Sequence, residues 1–264
     1  MTDTDPLDDF TRDTFTHEGA AKTVFRKGSG PGVVVIHEVP GVTPDVAAFA
    51  RRVVDAGFTV AMPSLFGEPG RPVTNRYLLA SLTHGCVSRE FASWALGRTS
   101  AVVTWLRALA TDLHARAGGP GVGAVGMCFT GGFALAMAVD EHMLAPVLSQ
   151  PSLPFGVGSK RRRDLGISDA DLATVRERAE RDGQCVLGLR FTGDPMVPAE
   201  RFARLRQELG DRFLAVEIDS SKGNAHGIPR LAHSVLTLHY VDEAGHPTRD
   251  ALDTVLRFFA DRLA

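Results

Sequence analysis

The stretch Gly123 to Gly132, Gly-Ala-Val-Gly-Met-Cys-Phe-Thr-Gly-Gly, constrains this chain more than any other. A short apolar run, Val122 to Val125, leads the backbone to Cys128; Gly131-Gly132 follows, and Phe133 to Ala138 reads as a helix. A strand that turns at once into a helix, with a nucleophilic residue at the corner and small residues two before and three after it, has the layout of a nucleophile elbow. Such a corner forces strained backbone at the nucleophile, and glycine is what lets neighbouring chain pass so close. A thiol at a helix N-terminus is favoured as thiolate, its reactive form, because unsatisfied N–H groups there carry partial positive charge. The competing reading is a tight junction around a buried, inert cysteine. Cys185, in the apolar run Cys185-Val186-Leu187-Gly188-Leu189, illustrates that alternative, and Cys86 has no strand-to-helix corner around it.

The surrounding pattern is α/β. Val33-Val34-Val35-Ile36 is β-branched and apolar on both faces, as an interior strand of a parallel sheet requires, and ends in His37-Glu38-Val39-Pro40-Gly41. A helix over Asp45–Ala56 and a strand over Phe58–Pro63 complete a βαβ unit. Residues 64–88 hold several glycines and prolines and read as an irregular excursion over the active face. From Arg89 to about Ala117, Phe91, Trp94, Val102, Trp105, Leu106, Leu109 and Leu113 recur at helical spacing. Further strands are expected over Met143–Leu148, Cys185–Thr192 and Phe213–Ile218, and helices over Asp169–Arg181, Ala199–Leu209 and from Thr248 onward. Residues 1–30 read as a polar lead-in with a possible edge hairpin, Thr14–Glu18 and Lys22–Arg26 around Gly19. With no repeat and no linker visible, residues 31–264 are expected to form one doubly wound domain.

Composition narrows the function. The 264 residues carry a formal charge of −2, which gives no general attraction to nucleic acid or anionic membrane. The basic run Lys160-Arg161-Arg162-Arg163 reads as a solvated loop. Three cysteines without a Cys-x-x-Cys pair suit neither a disulfide framework nor a zinc site, and point to a reducing compartment. The N-terminus is acidic where a signal peptide is basic and then apolar, and no apolar run approaches membrane-spanning length, so a cytoplasmic protein is expected.

An activated nucleophile needs a base, and the base a carboxylate, with chain order nucleophile, acid, histidine in elbow-type enzymes. Asp194 follows the strand ending Leu189-Arg190-Phe191-Thr192-Gly193 and is the candidate acid, an Asx turn being its alternative role. After the last strand come His226, His233, His239 and His246. His226 is nearest the strand end, His233 has apolar neighbours able to exclude water from an ion pair, and the residues themselves leave the choice between them open.

At four places the chain resembles the dienelactone hydrolase family of α/β-hydrolases. Val35-Ile36-His37-Glu38-Val39-Pro40-Gly41-Val42 is similar to the family's strand ending in a glutamate before an apolar residue and Gly-Val. Ala61-Met62-Pro63-Ser64-Leu65-Phe66 is similar to its second strand, Gly126-Met127-Cys128-Phe129-Thr130-Gly131-Gly132 to its Gly-x-Cys-x-Gly-Gly elbow with one position altered, and Gly193-Asp194-Pro195-Met196-Val197-Pro198 to its acid loop. The resemblance implies an α/β-hydrolase fold, a mostly parallel doubly wound sheet flanked by helices, and hydrolysis of a small ester or lactone with no metal or organic cofactor. It implies Cys128 as nucleophile, Asp194 as acid and His233 as base, since His233-Ser234 before an apolar residue is similar to the family's Gly-His-Ser-Phe. Glu38 would pair with the resting thiol and give way to substrate, and the N–H groups of Val39 and Phe129 would form the oxyanion hole.

Three positions depart from the family pattern: Ser64 where aspartate is frequent, Thr130 where leucine is usual, and Thr237 where a carboxylate-binding arginine follows the histidine. The stretch 149–163 also differs. The expected partner is thus a small-molecule ester or lactone, with no nucleic acid or membrane, bound by a monomer or small homo-oligomer. Two other classes remain open from sequence: a ligand-binding member without turnover, and a redox-responsive thiol protein.

Overall fold

A computed structural model of the chain describes residues 6–74, 76–78, 81, 100–156 and 158–264. Cys86, Phe91, Trp94 and the first part of the helix expected from Arg89 lie outside these residues.

Eight strands form one sheet: β1 (Thr11–His17), β2 (Ala20–Lys27), β3 (Gly32–Ile36), β4 (Thr59–Pro63), β5 (Val122–Met127), β6 (Met143–Ser149), β7 (Val186–Phe191) and β8 (Phe213–Ile218), in spatial order β1-β2-β4-β3-β5-β6-β7-β8. β1 and β2 form the antiparallel hairpin anticipated around Gly19, longer than its residue spacing suggests, and β2 joins β4 antiparallel. Every pairing from β4 to β8 is parallel.

Between them run α1 (Pro44–Asp55), α2 (Ala101–Ala117), α3 (Gly131–Met137), α4 (Gly158–Arg162), α5 (Asp169–Arg181), α6 (Ala199–Leu209) and α7 (Pro247–Leu263). Thr43, Ser100 and Ser168 cap α1, α2 and α5 by accepting hydrogen bonds from backbone N–H groups three residues on. α4 stands where a solvated loop is expected and carries Lys160, Arg161 and Arg162 of the basic run, none of them buried; Arg162 pairs there with Glu200 at 2.8 Å.

The central strands β3 to β7 are buried on both faces because both faces are covered. Along β3, Val34 and Ile36 belong to the apolar cluster that holds residues of α2, α3, α5 and α6, whereas Val33 and Val35 belong to the one that holds residues of α1 and α7. This alternation has the period of two that a pleated strand dictates. Among the described residues no helix is long and apolar enough to cross a membrane.

Chain direction decides where a ligand can enter. From β3 the chain moves outward to β4, then returns to β5 on the other side of β3. Such a reversal opens a crevice beyond the carboxyl ends of the two central strands, where open α/β sheets bind their ligands. β3 runs into His37-Glu38-Val39 at that crevice, and β5 runs into Cys128.

Candidate active site

β5 is buried throughout and ends at Met127; the next residue, Cys128, adopts φ +55°, a left-handed backbone that a side chain rarely takes without compensation. A single 3₁₀ turn, Cys128–Thr130, then opens α3. Two glycines make the corner possible. A Cβ on Gly126 would lie 2.2 Å from the Thr130 carbonyl oxygen, and one on Gly131 would lie 2.6 Å from Pro151 Cα. Thr130, where the family usually has leucine, is fully buried. Its Oγ1 accepts from the Met127 N–H at 2.9 Å and lies 2.9 to 3.1 Å from the carbonyls of Met127, Ile36 and His37, any one of which can take its proton. The hydroxyl thereby ties the elbow to the end of β3.

Asp194 is buried on the turn after β7, and its two oxygens have different partners. Oδ1 accepts from the Met196 N–H at 2.9 Å, an Asx turn, while Oδ2 lies 2.6 Å from His233 Nδ1. The other ring nitrogen of His233, Nε2, is buried without a hydrogen-bond partner among the described residues. Burial by itself disfavours a charge on this imidazole; the Cys128 sulfur beside it and the Asp194 carboxylate outweigh that, so its pKa is raised well above the ordinary histidine value. The sulfur acts on the ring electrostatically without an aligned hydrogen bond, an arrangement that tightens in substrate complexes of many hydrolases.

The remaining histidines have other tasks. His239 Nδ1 accepts from the Ser234 N–H at 3.2 Å and so shapes the loop that carries His233. His246 caps α7, and the exposed His226 packs edge-on against it with ring centroids 5.4 Å apart. The structure thus brings Asp194 to His233 and leaves His226 in a surface turn.

Glu38 is positioned differently from what the resemblance implies. Its carboxylate accepts from Ser234 Oγ at 2.6 Å, from Gln150 Nε2 at 3.2 Å and from Thr237 Oγ1, so both oxygens face the His233 loop and the end of β6. No hydrogen bond joins it to the thiol among the described residues. Three donors satisfy the buried carboxylate where it stands, and Thr237 supplies one of them from the position at which the family places arginine. Cys128 Sγ instead lies 3.4 Å from Ser152 Oγ.

Gln150, Ser152, Ser234 and Thr237 therefore join the site without having been singled out as site residues. Gln150, at φ +37°, also accepts from the Val235 N–H at 3.3 Å, linking three loops through one amide. Their sequence signal is faint: a polar Ser149-Gln150 pair directly after an apolar strand, at the sheet end where the other candidates gather.

Val39 and Phe129, the expected oxyanion donors, are both buried in the apolar cluster that contains Cys128. His37 braces the Val39 loop. Its Nδ1–H donates to the Glu38 carbonyl at 2.9 Å and its Nε2 accepts from the Leu65 N–H at 3.0 Å, a tautomer fixed by these two partners. Phe155, 45% exposed, stacks edge-on against Phe129 with centroids 5.3 Å apart, giving the site an aromatic edge open to solvent. Among the described residues no group of three or more His, Cys, Asp or Glu side chains could hold a metal ion.

A mostly parallel sheet with helices on both faces and a nucleophile candidate at a strained strand-to-helix corner defines an α/β-hydrolase fold. Solved structures share it. A protein of Klebsiella pneumoniae described provisionally as a dienelactone hydrolase superposes with a TM-score of 0.65 at 19% identity, over 95% of this chain and 98% of that one. A dienelactone hydrolase-like promiscuous phosphotriesterase from metagenomic libraries gives 0.64 at 19% identity, over 97% and 98%. An esterase of Pyrococcus furiosus gives 0.58 at 12% identity, over 100% and 96%. No curated protein sequence matches the chain. The model of the dienelactone hydrolase family matches residues 20–263, and the chain belongs to that family. It is an ester or lactone hydrolase.

Proposed function

We propose that this hydrolase cleaves small carboxylic esters or lactones through an acyl-enzyme on Cys128, with His233 as acid and base and Asp194 as the carboxylate behind it. The observation that carries the reading is the ring of His233, held through Nδ1 by Asp194 while its unpartnered Nε2 is buried beside the Cys128 sulfur. Asp194 fixes the tautomer and offsets the positive charge of the imidazolium.

In the first half-reaction the Cys128 thiolate attacks the carbonyl carbon, forming a C–S bond as the π pair moves to oxygen. That oxyanion would lie against the N–H groups of Val39 and Phe129. Collapse breaks the bond to the leaving oxygen, which takes a proton from His233 Nε2. In the second half, Nε2 removes a proton from water, the hydroxide attacks the thioester, and the acid departs as the thiolate and imidazolium re-form. Glu38 is assigned a positioning role: through Ser234 and Thr237 it holds the His233 loop against the end of β3. The exposed edge of Phe155 makes aryl esters suitable probes.

The test is hydrolysis of short aryl esters and simple lactones by Cys128→Ala beside the wild type. A fall of at least about 1,000-fold in kcat is expected for loss of a covalent nucleophile. Full activity in the variant would refute the assignment. Stoichiometric ligand binding by a wild-type protein without turnover would replace it with a binding role.

A further inference from the structure

Ser152 follows β6 and is fully buried, with its backbone N–H donating to the Cys128 carbonyl at 3.0 Å. Its hydroxyl has one hydrogen-bond partner among the described residues, Cys128 Sγ at 3.4 Å. Two arrangements fit that contact. If the thiol donates to Oγ, the hydroxyl proton is left buried with no acceptor, which proteins avoid. If the hydroxyl donates to sulfur, its proton is satisfied, and the bond is strongest when the sulfur is anionic.

We propose that Ser152 is a further catalytic residue, whose hydroxyl donates to the Cys128 sulfur and holds the nucleophile as a thiolate between turnovers. This rests on the reading of Cys128 as nucleophile and adds to it. The serine keeps its proton throughout; the proton lost by the thiol resides on His233 Nε2. Glu38 does not contest the sulfur, because both of its oxygens are engaged by Ser234, Gln150 and Thr237.

The loop is built to keep this hydroxyl in place. Arg201, buried on α6, donates from Nη1 to the Pro151 carbonyl at 2.6 Å, from Nη2 to the Pro154 carbonyl, and from Nε to the Asp164 carbonyl at 2.8 Å. A planar guanidinium with donors in fixed directions pins the chain on both sides of Ser152. Burial lowers its pKa to about 10, which leaves it charged at neutral pH.

The experiment follows alkylation of full-length protein by iodoacetamide across pH, read by mass spectrometry on the Cys128 peptide so that Cys86 and Cys185 do not interfere. Loss of a hydrogen bond to the charged form raises the pH at which the thiol ionises. Ser152→Ala is expected to move the alkylation midpoint up by about one pH unit, with the melting temperature near the wild-type value. Ser152→Thr, which keeps the hydroxyl, should bring the midpoint back. A midpoint that stays put in Ser152→Ala, or moves equally far in Ser152→Thr, overturns the assignment. Alkylation needs no ester, so a shifted midpoint in a protein that turns over no ester would retain the role of Ser152 and count against the proposed hydrolysis alone.

Discussion

His37 and His233 stand at the same end of the sheet, the first fully and the second largely buried, and they are driven in opposite directions. The hydrogen bonds of the His37 ring among the described residues go to backbone, the Glu38 carbonyl and the Leu65 N–H, and burial pushes its pKa down to about 4. His233 is also penalised by burial, yet the Cys128 sulfur and the Asp194 carboxylate carry it well above the usual value. Burial alone discharges an imidazole; a buried imidazole that holds its proton needs an anion placed against it. One histidine is therefore a neutral brace for the Val39 loop, and the other is the group proposed to carry the proton.

The most severe way to break this contrast is to neutralise the carboxylate. Asp194→Asn keeps the shape but turns the His233 ring to the wrong tautomer, and a loss on the order of 10,000-fold in kcat for a short aryl ester is expected. An unchanged pH–rate profile with near-normal kcat would show that Asp194 makes only its Asx turn.

The second prediction concerns stability against pH. For His37 the unfolded chain binds a proton between about pH 6.5 and about 4 that the folded chain refuses, so stability falls as pH falls through this window. The gap corresponds to about 3 kcal/mol, complete once pH is below the folded value. For His233 the folded chain holds the extra proton, so its contribution is complete below pH 6.5 and is lost as pH rises through its higher folded value. Urea midpoints measured across pH should slope upward with pH in the acid window, with a shallower slope in His37→Phe because His142 and His239, also lowered by burial, still contribute, whereas His233→Gln should affect the alkaline side. The same slope in His37→Phe and wild type would contradict the neutral-brace role.

The smallest effect is expected at the link between the two regions. Thr130→Val preserves volume but leaves the Met127 N–H and one carbonyl without their partner, for a cost of about 1–3 kcal/mol in unfolding free energy and a modest loss of kcat/KM. A variant as stable as wild type would mean that the elbow does not depend on its tether to β3.

The sequence was informative where a function is carried by a local pattern. Strands buried on both faces betray themselves by unbroken β-branched runs, as in Val33–Ile36, and α6 and β8 fall where periodicity puts them. Cys128, Asp194 and His233 each lie directly after a strand or in a recognisable segment, so a fixed chain order could bring them forward. Gln150 meets Glu38 across 112 positions of chain because β3, β5 and β6 lie side by side, and Ser152 meets Cys128 because β6 neighbours β5. Nothing within either segment announces that encounter. Arg201 reads as one of several arginines on an amphipathic helix, and only tertiary packing turns it into the clamp of the Ser152 loop. Glu38 was visible as a residue, but its partner was not: the orientation of a carboxylate depends on which donors the fold assembles around it.

Cys128 and Cys185 are buried to nearly the same degree, 5% and 6% exposed; the sulfur of the former has an imidazole and a hydroxyl beside it, while among the described residues that of the latter donates to the Gly183 carbonyl at 3.6 Å. The most direct measurement is therefore intact-mass and peptide analysis of the protein quenched in acid during turnover of a slowly deacylating aryl ester. One acyl group on the Cys128 peptide, absent from the Cys185 peptide and from Cys128→Ala, is the predicted result. Steady turnover with no acyl group on Cys128, or acylation of another residue, would contradict the account.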